Sequence, residues 1–148
     1  MKHLIPFFIL NIYHRALALV AAITYRFPSK NLIVIGVTGT NGKSTTVDLT
    51  HRIFVAAGFR VASVSSLRFI IADREWKNEL KMTMPGRFFI QKFLRDAVDA
   101  KCDIAIIEVT SEGIRQSRHS HIDFDVAAVT NVTPEHIESH GSFEKYRA

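Results

Sequence analysis

Residues 36–45 read Gly-Val-Thr-Gly-Thr-Asn-Gly-Lys-Ser-Thr, and they constrain this chain more than any other stretch. Residues 32–37 before them form a β-branched apolar run, the mark of a buried strand. Residues 43–57 after them have helical spacing and stop at Gly58, a residue suited to the left-handed end of a helix. A glycine-rich turn between a buried strand and a helix is the setting of a phosphate cradle. Glycines let backbone N–H groups curl around a phosphate without Cβ clashes, and the helix N-terminus adds partial positive charge. Lys43 is then expected to bridge the β- and γ-phosphates and Ser44 to ligate Mg2+. The general pattern G-x-x-x-x-G-K-[ST] is not met, because position 37 is Val and the glycines stand at 36, 39 and 42.

The rest of the chain alternates. Residues 59–65 and 67–72 read as strands, 73–79 as a polar turn and 82–86 as a loop. Residues 87–101 read as an amphipathic helix with Phe88, Phe89, Phe93, Leu94 and Val98 on its apolar face. Buried strands follow at 103–109 and 125–131, with a short helix at 114–119 between them and a last helix opening at Ser142. Strands alternating with helices give an α/β domain with a mainly parallel sheet.

Two further segments fall on the carboxyl edge of such a sheet, where ligands gather. Glu108 ends the apolar run at 104–107. A carboxylate buried there without a partner would be costly, so it is read as a metal ligand or water-positioning group. Residues 131–136, Asn-Val-Thr-Pro-Glu-His, follow the last strand and bring Asn131 and His136 to the same edge. His140 shares the face of His136 if that segment is helical. His119 and His121 read as loop histidines without ligand spacing.

The chain carries 19 Lys and Arg against 14 Asp and Glu, a net charge of +5. Lys2, Arg15, Arg26 and Lys30 lie in residues 1–30, which hold no acid. The remaining residues are nearly neutral, so no basic nucleic-acid face is expected. Cys102 is the single cysteine, which excludes an internal disulfide and a Cys-cluster zinc site. Residues 4–27 read as an apolar helix with a narrow polar stripe through Asn11, His14 and Arg15, continued by Ala18 and Ala22. Three fates are open for it: packing on the protein or on a partner domain, peripheral membrane contact, or a signal or span. The longest wholly apolar run, 16–23, is short for a span.

The segments at 38–44, 108–111 and 130–141 resemble the motifs of the Mur ligases, the peptidoglycan amino-acid ligases. The trailing His140-Gly141 is most similar to the branch that adds the third residue. The resemblance covers residues 31–148 and implies a three-layer, P-loop NTPase-like domain, which the apolar, basic helix read in residues 1–30 precedes. It implies an ATP-dependent amide ligase working through an acyl-phosphate in the cytoplasm, with a muropeptide, UDP-linked or lipid-linked, and an amino acid as partners. It places ATP on Gly39, Thr40, Asn41, Gly42, Lys43, Ser44, Thr45 and Asn131. One Mg2+ falls to Ser44 and Glu108 and a second to His136, while Thr83, Thr110 and Arg118 meet the muropeptide.

The departures shape the remaining expectations. Glu135 stands in place of an Asp, and Glu112-Gly113 in place of His-Ala. About 30 residues precede the first strand, too few for the family's uridine-binding domain. Tyr146-Arg147-Ala148 stops short of the family's carbamylated lysine, so a C-terminally incomplete domain without its amino-acid site is expected. Folylpolyglutamate-type or cyanophycin-type ligation, amidation of a lipid-linked muropeptide, and non-catalytic nucleotide binding are the alternatives.

Overall fold

In the computed structural model, which describes residues 7–80 and 82–133, the elements run in alternation. Helix α1 (Phe7–Thr24) leads through a 3-10 turn (Pro28–Asn31) to strand β1 (Ile33–Thr38) and helix α2 (Lys43–Ala56). Strands β2 (Val61–Val64), β3 (Arg68–Ile71) and β4 (Arg74–Lys77) come next. Helix α3 (Arg87–Asp99), strand β5 (Ile104–Glu108), helix α4 (Ser111–Arg115) and strand β6 (Val126–Val129) complete the described part.

These strands form one six-stranded sheet in the order β4-β3-β2-β5-β1-β6. The four from β2 to β6 are parallel, and β3 and β4 return antiparallel at one edge. Alternation along the strands sorts the side chains into two cores. Ile35, Val37, Ile104 and Ile106 pack with Val47 and Phe54 of α2. Val34, Ala105 and Ile107 pack with Ile90, Phe93, Leu94 and Ala97 of α3. Helix α1 lies along α3. The result is the expected three-layer α/β domain, with β1 and β5 at its centre.

Four details differ from the sequence reading. Residues 74–77 form an edge strand instead of a turn, because they pair with β3 and Trp76 reaches the rings of Phe69 and Phe93. Charged side chains on such an edge also discourage pairing with other chains. Strand β6 is largely exposed, not buried, since among the described residues only β1 lies beside it. Helix α4 starts at Ser111, earlier than expected, because Thr110 caps it by accepting the Gly113 N–H. Phe88 is exposed, while Ile90 and Gln91 are buried in its stead. No described helix is long and apolar enough to cross a membrane.

Candidate functional site

The loop between β1 and α2 owes its shape to two glycines in the left-handed half of backbone space. Gly42, at φ 82°, turns the chain into α2. Gly39 has φ 132°, and a Cβ there would stand 2.2 Å from Thr130 Oγ1 and 2.8 Å from the Asn131 carbonyl oxygen. The strip after β6 is therefore seated directly on the loop. Asn131 Oδ1 accepts the Asn41 N–H at 3.0 Å, and Asn131 Nδ2 donates to the Asn41 carbonyl at 3.0 Å. The Thr40 N–H donates to the Asn131 carbonyl at 3.0 Å, Thr130 Oγ1 donates to the Asn41 carbonyl at 2.7 Å, and the Thr133 N–H donates to Thr40 Oγ1 at 3.0 Å. The loop is held in shape by side chains of a neighbouring strand end, as a preorganised anion cradle requires. Replacing Gly39 by alanine adds both the φ penalty and the clash with Thr130. A fall in melting temperature of roughly 5–10 °C is expected by thermal denaturation, and an unchanged value would contradict this seating.

Lys43 opens α2 and folds back over the loop, its ammonium donating to the carbonyls of Gly39 and Thr40 at 2.8 Å each. One residue on, Ser44 points toward β5. Glu108 sits opposite Val37 in the β1–β5 register and continues the α2 face after Ile104 and Ile106. It is only 2% exposed. Its Oε2 accepts the Ser44 hydroxyl at 2.8 Å and the Ser66 N–H at 2.9 Å. The Ser44 and Ser66 hydroxyl oxygens lie 2.5 Å apart. One carboxylate and two hydroxyls thus meet beneath the loop, a set of hard oxygens that fits Mg2+ shared with phosphate oxygens. Among the described residues no group of three or more His, Cys, Asp or Glu could hold a metal. Thr45 is exposed on the first turn of α2.

The other expected contacts gather past the end of β5. Arg118 is buried, and its guanidinium donates to the Met84 carbonyl and to Gln116 Oε1 at 3.1 and 2.8 Å. Arg87 donates to the Gln116 carbonyl, so both arginines tie the loop that carries Thr83 to the segment after α4. Thr83 itself is half-buried, and the Thr110 oxygen is engaged as the cap of α4. No carboxylate pairs with Arg87 or Arg118 among the described residues. Burial, followed by the charge of Arg118, pulls the Arg87 pKa down. Burial and then Arg87 and Arg118 pull that of His14 down. This corner is electropositive and suits an anionic group.

The structure thus brings Gly39, Thr40, Asn41, Gly42, Lys43, Ser44, Glu108 and Asn131 to one edge, with Thr110 and Arg118 grouped beyond it. Glu135, His136, His140 and the helix expected from Ser142 lie outside the described residues. The sequence reading missed Ser66, Thr130 and Arg87. Ser66 contributes a backbone N–H that no residue-type motif flags. Thr130 was legible only as part of the resemblance.

Comparison with known proteins accords with this geometry. The family described as Mur ligase middle domain matches residues 37–148. UDP-N-acetylmuramyl-tripeptide synthetase of Treponema pallidum is 40% identical over 134 residues, 89% of this chain and 25% of the relative. UDP-N-acetylmuramoyl-L-alanyl-D-glutamate–2,6-diaminopimelate ligase of Bacillus licheniformis is 36% identical over 143 residues, 97% of this chain and 29% of the relative. A solved structure of a 2,6-diaminopimelate ligase of the same description superposes with a TM-score of 0.68 at 28% identity, over 78% of this chain and 23% of that one. E. coli FolC in complex with DHPP and ADP superposes at 0.65 with 23% identity, over 86% of this chain and 36% of that one, a likeness of fold. The chain spans about a quarter of the length of the curated relatives it matches.

Proposed function

The chain belongs to the Mur ligase family through its middle domain, and from that premise we propose that residues 31–148 are the ATP-binding portion of an ATP-dependent amide ligase of peptidoglycan precursor synthesis. The observation that carries the proposal is a glycine loop braced by Asn131, with the Lys43 ammonium folded over it and the Ser44–Glu108 pair beneath it. A triphosphate fits a cradle of this kind, with backbone N–H groups and the Lys43 ammonium as its counter-charge. Ser44 and Glu108 would hold one Mg2+, and His136 would hold a second. A bound Mg2+ supplies charge neutralisation on the phosphates and a fixed orientation of the transferred group.

In this reading a substrate carboxylate oxygen attacks the γ-phosphorus and ADP leaves. An amine then attacks the acyl carbon, phosphate leaves with its bonding pair, and the nitrogen gives up a proton to the departing phosphate or to water. The protein's part is placement. Lys43 holds the phosphates and Glu108 fixes the Ser44 hydroxyl. Arg118, Thr110 and Thr83 would orient the acceptor, a UDP-linked or lipid-linked muropeptide, through the electropositive corner around Arg118 and Arg87. The reaction is placed in the cytoplasm, where ATP is available.

Calorimetric titration of the 148-residue chain with ATP tests the binding step. Binding that strengthens on adding Mg2+ is expected, and absence of binding with Mg2+ present would overturn the reading. On the whole protein, the ligase step predicts ADP release that requires both an acceptor and an amino acid. Competition between UDP-linked and lipid-linked muropeptides then identifies the acceptor.

A further inference from the structure

Helix α1 turns its small and polar residues toward the protein and its large apolar residues toward solvent. At about 100° per residue, Asn11, His14, Ala18, Ala21 and Ala22 fall on one face. Ala18, Ala21 and Ala22 are fully buried. Asn11 Oδ1 accepts the Ser117 hydroxyl at 3.1 Å, and His14 lies in the field of Arg87 and Arg118. The opposite arc carries Ile9, Ile12, Tyr13, Leu19, Val20 and Ile23. All six are exposed, with Ile12, Val20 and Ile23 at 53%, 51% and 56%. A helix on a water-facing surface has the reverse arrangement, with its apolar stripe toward the core. A contiguous apolar arc of this extent marks an interaction surface.

Charge says which surface covers it. Residues 1–30 hold Lys2, Arg15, Arg26 and Lys30 and no acid, and Arg15, Arg26 and Lys30 are exposed. Asp99 of α3 lies beside the end of α1, but the segment itself brings only cations to the arc, and such a segment complements a layer that is apolar inside and anionic at its rim. Helix α1 is 18 residues long and none of the described helices suits a crossing, so it would lie along such a layer and not through it.

We infer that α1 docks in the interface of an anionic phospholipid bilayer. Its apolar arc enters the acyl boundary, and Arg15, Arg26 and Lys30 meet headgroup phosphates. The Asn11–Ser117 bond holds the start of α1 against the protein, so the apolar arc on the opposite side stays turned outward.

Sedimentation of the 148-residue chain with vesicles tests the inference, and it is independent of the ligase reading because neither nucleotide nor substrate enters the assay. The chain is expected to pellet with vesicles of mixed phosphatidylglycerol and phosphatidylcholine. Its affinity should be at least about tenfold lower for phosphatidylcholine alone, and it should fall with added salt. The combined Ile12→Gln, Val20→Gln, Ile23→Gln variant should stay in the supernatant while its circular dichroism and melting temperature hold. A separate Arg15→Glu, Arg26→Glu variant, which leaves the apolar arc intact, should lose the preference for phosphatidylglycerol. Three results would overturn the inference: a wild-type chain that stays in the supernatant, a triple-Gln variant that pellets as well as wild type, or a lipid-free dimer that the triple-Gln variant dissociates. The last would assign the arc to a second copy of the chain.

Discussion

Replacing Lys43 by alanine is expected to weaken ATP binding by about 10- to 100-fold, read by calorimetry with Mg2+ present. The ammonium sits 2.8 Å from the carbonyl oxygens of Gly39 and Thr40, the two residues that shape the floor of the loop. It is the only charged side chain in residues 38–44. Backbone N–H groups supply dipoles to a triphosphate, but Lys43 supplies the full charge. A hydrogen bond from a charged donor contributes about 1.5–3 kcal/mol, and about 1.4 kcal/mol is a tenfold change in affinity. Without nucleotide the same substitution should cost little stability. The two carbonyls belong to a loop at the sheet edge, and water replaces the ammonium there. The pairing of outcomes is diagnostic. Unchanged affinity would remove the phosphate-loop assignment, and a large loss of melting temperature would make Lys43 a clamp on the loop instead of a ligand-binding group.

What could be read in the sequence was whatever depends on a local physical requirement. Gly39 and Gly42 had to be glycines because their backbones take positive φ, and that requirement shows as spacing. Glu108 was legible because an acid at the end of an apolar run needs a reason. What could not be read depends on neighbours that only the topology supplies. Ser66 bonds Glu108 because β2 lies next to β5, and its contribution is a main-chain N–H common to almost every residue. Residues 74–77 became a strand because β3 offered an edge, and only Trp76 in them is apolar. The polar stripe of α1 was visible, but its direction was not: stripe and apolar arc are equally periodic, and only packing on α3 decides which one faces inward. The resemblance to the Mur ligases carried family membership and fold. It did not reveal Arg87 beside Arg118, because Arg87 lies outside the motifs that carry it.

Glu108→Gln is expected to remove most of the Mg2+ dependence of ATP binding while leaving the free chain as stable as before or more so. The carboxylate is buried at 2% exposure, and its described partners are two neutral donors, the Ser44 hydroxyl and the Ser66 N–H. Neutral donors offset only part of the cost of burying a charge, which reaches several kcal/mol. The glutamine keeps the size and an acceptor oxygen for both donors while removing that charge. Its melting temperature should hold or rise. The affinity gained on adding Mg2+ should shrink by about tenfold or more, because a neutral amide is a poor partner for a hard dication. Glu108→Ala separates geometry from charge. It leaves the Ser66 N–H without its acceptor, so about 1–3 kcal/mol of stability should be lost together with the Mg2+ effect. The two variants therefore differ in stability, which only Glu108→Ala lowers, and agree in losing Mg2+ linkage. If Glu108→Gln instead melted as low as Glu108→Ala and still bound ATP with full Mg2+ dependence, Glu108 would be a structural anchor for the Ser66 turn, and the cation would have to be held elsewhere on the sheet edge.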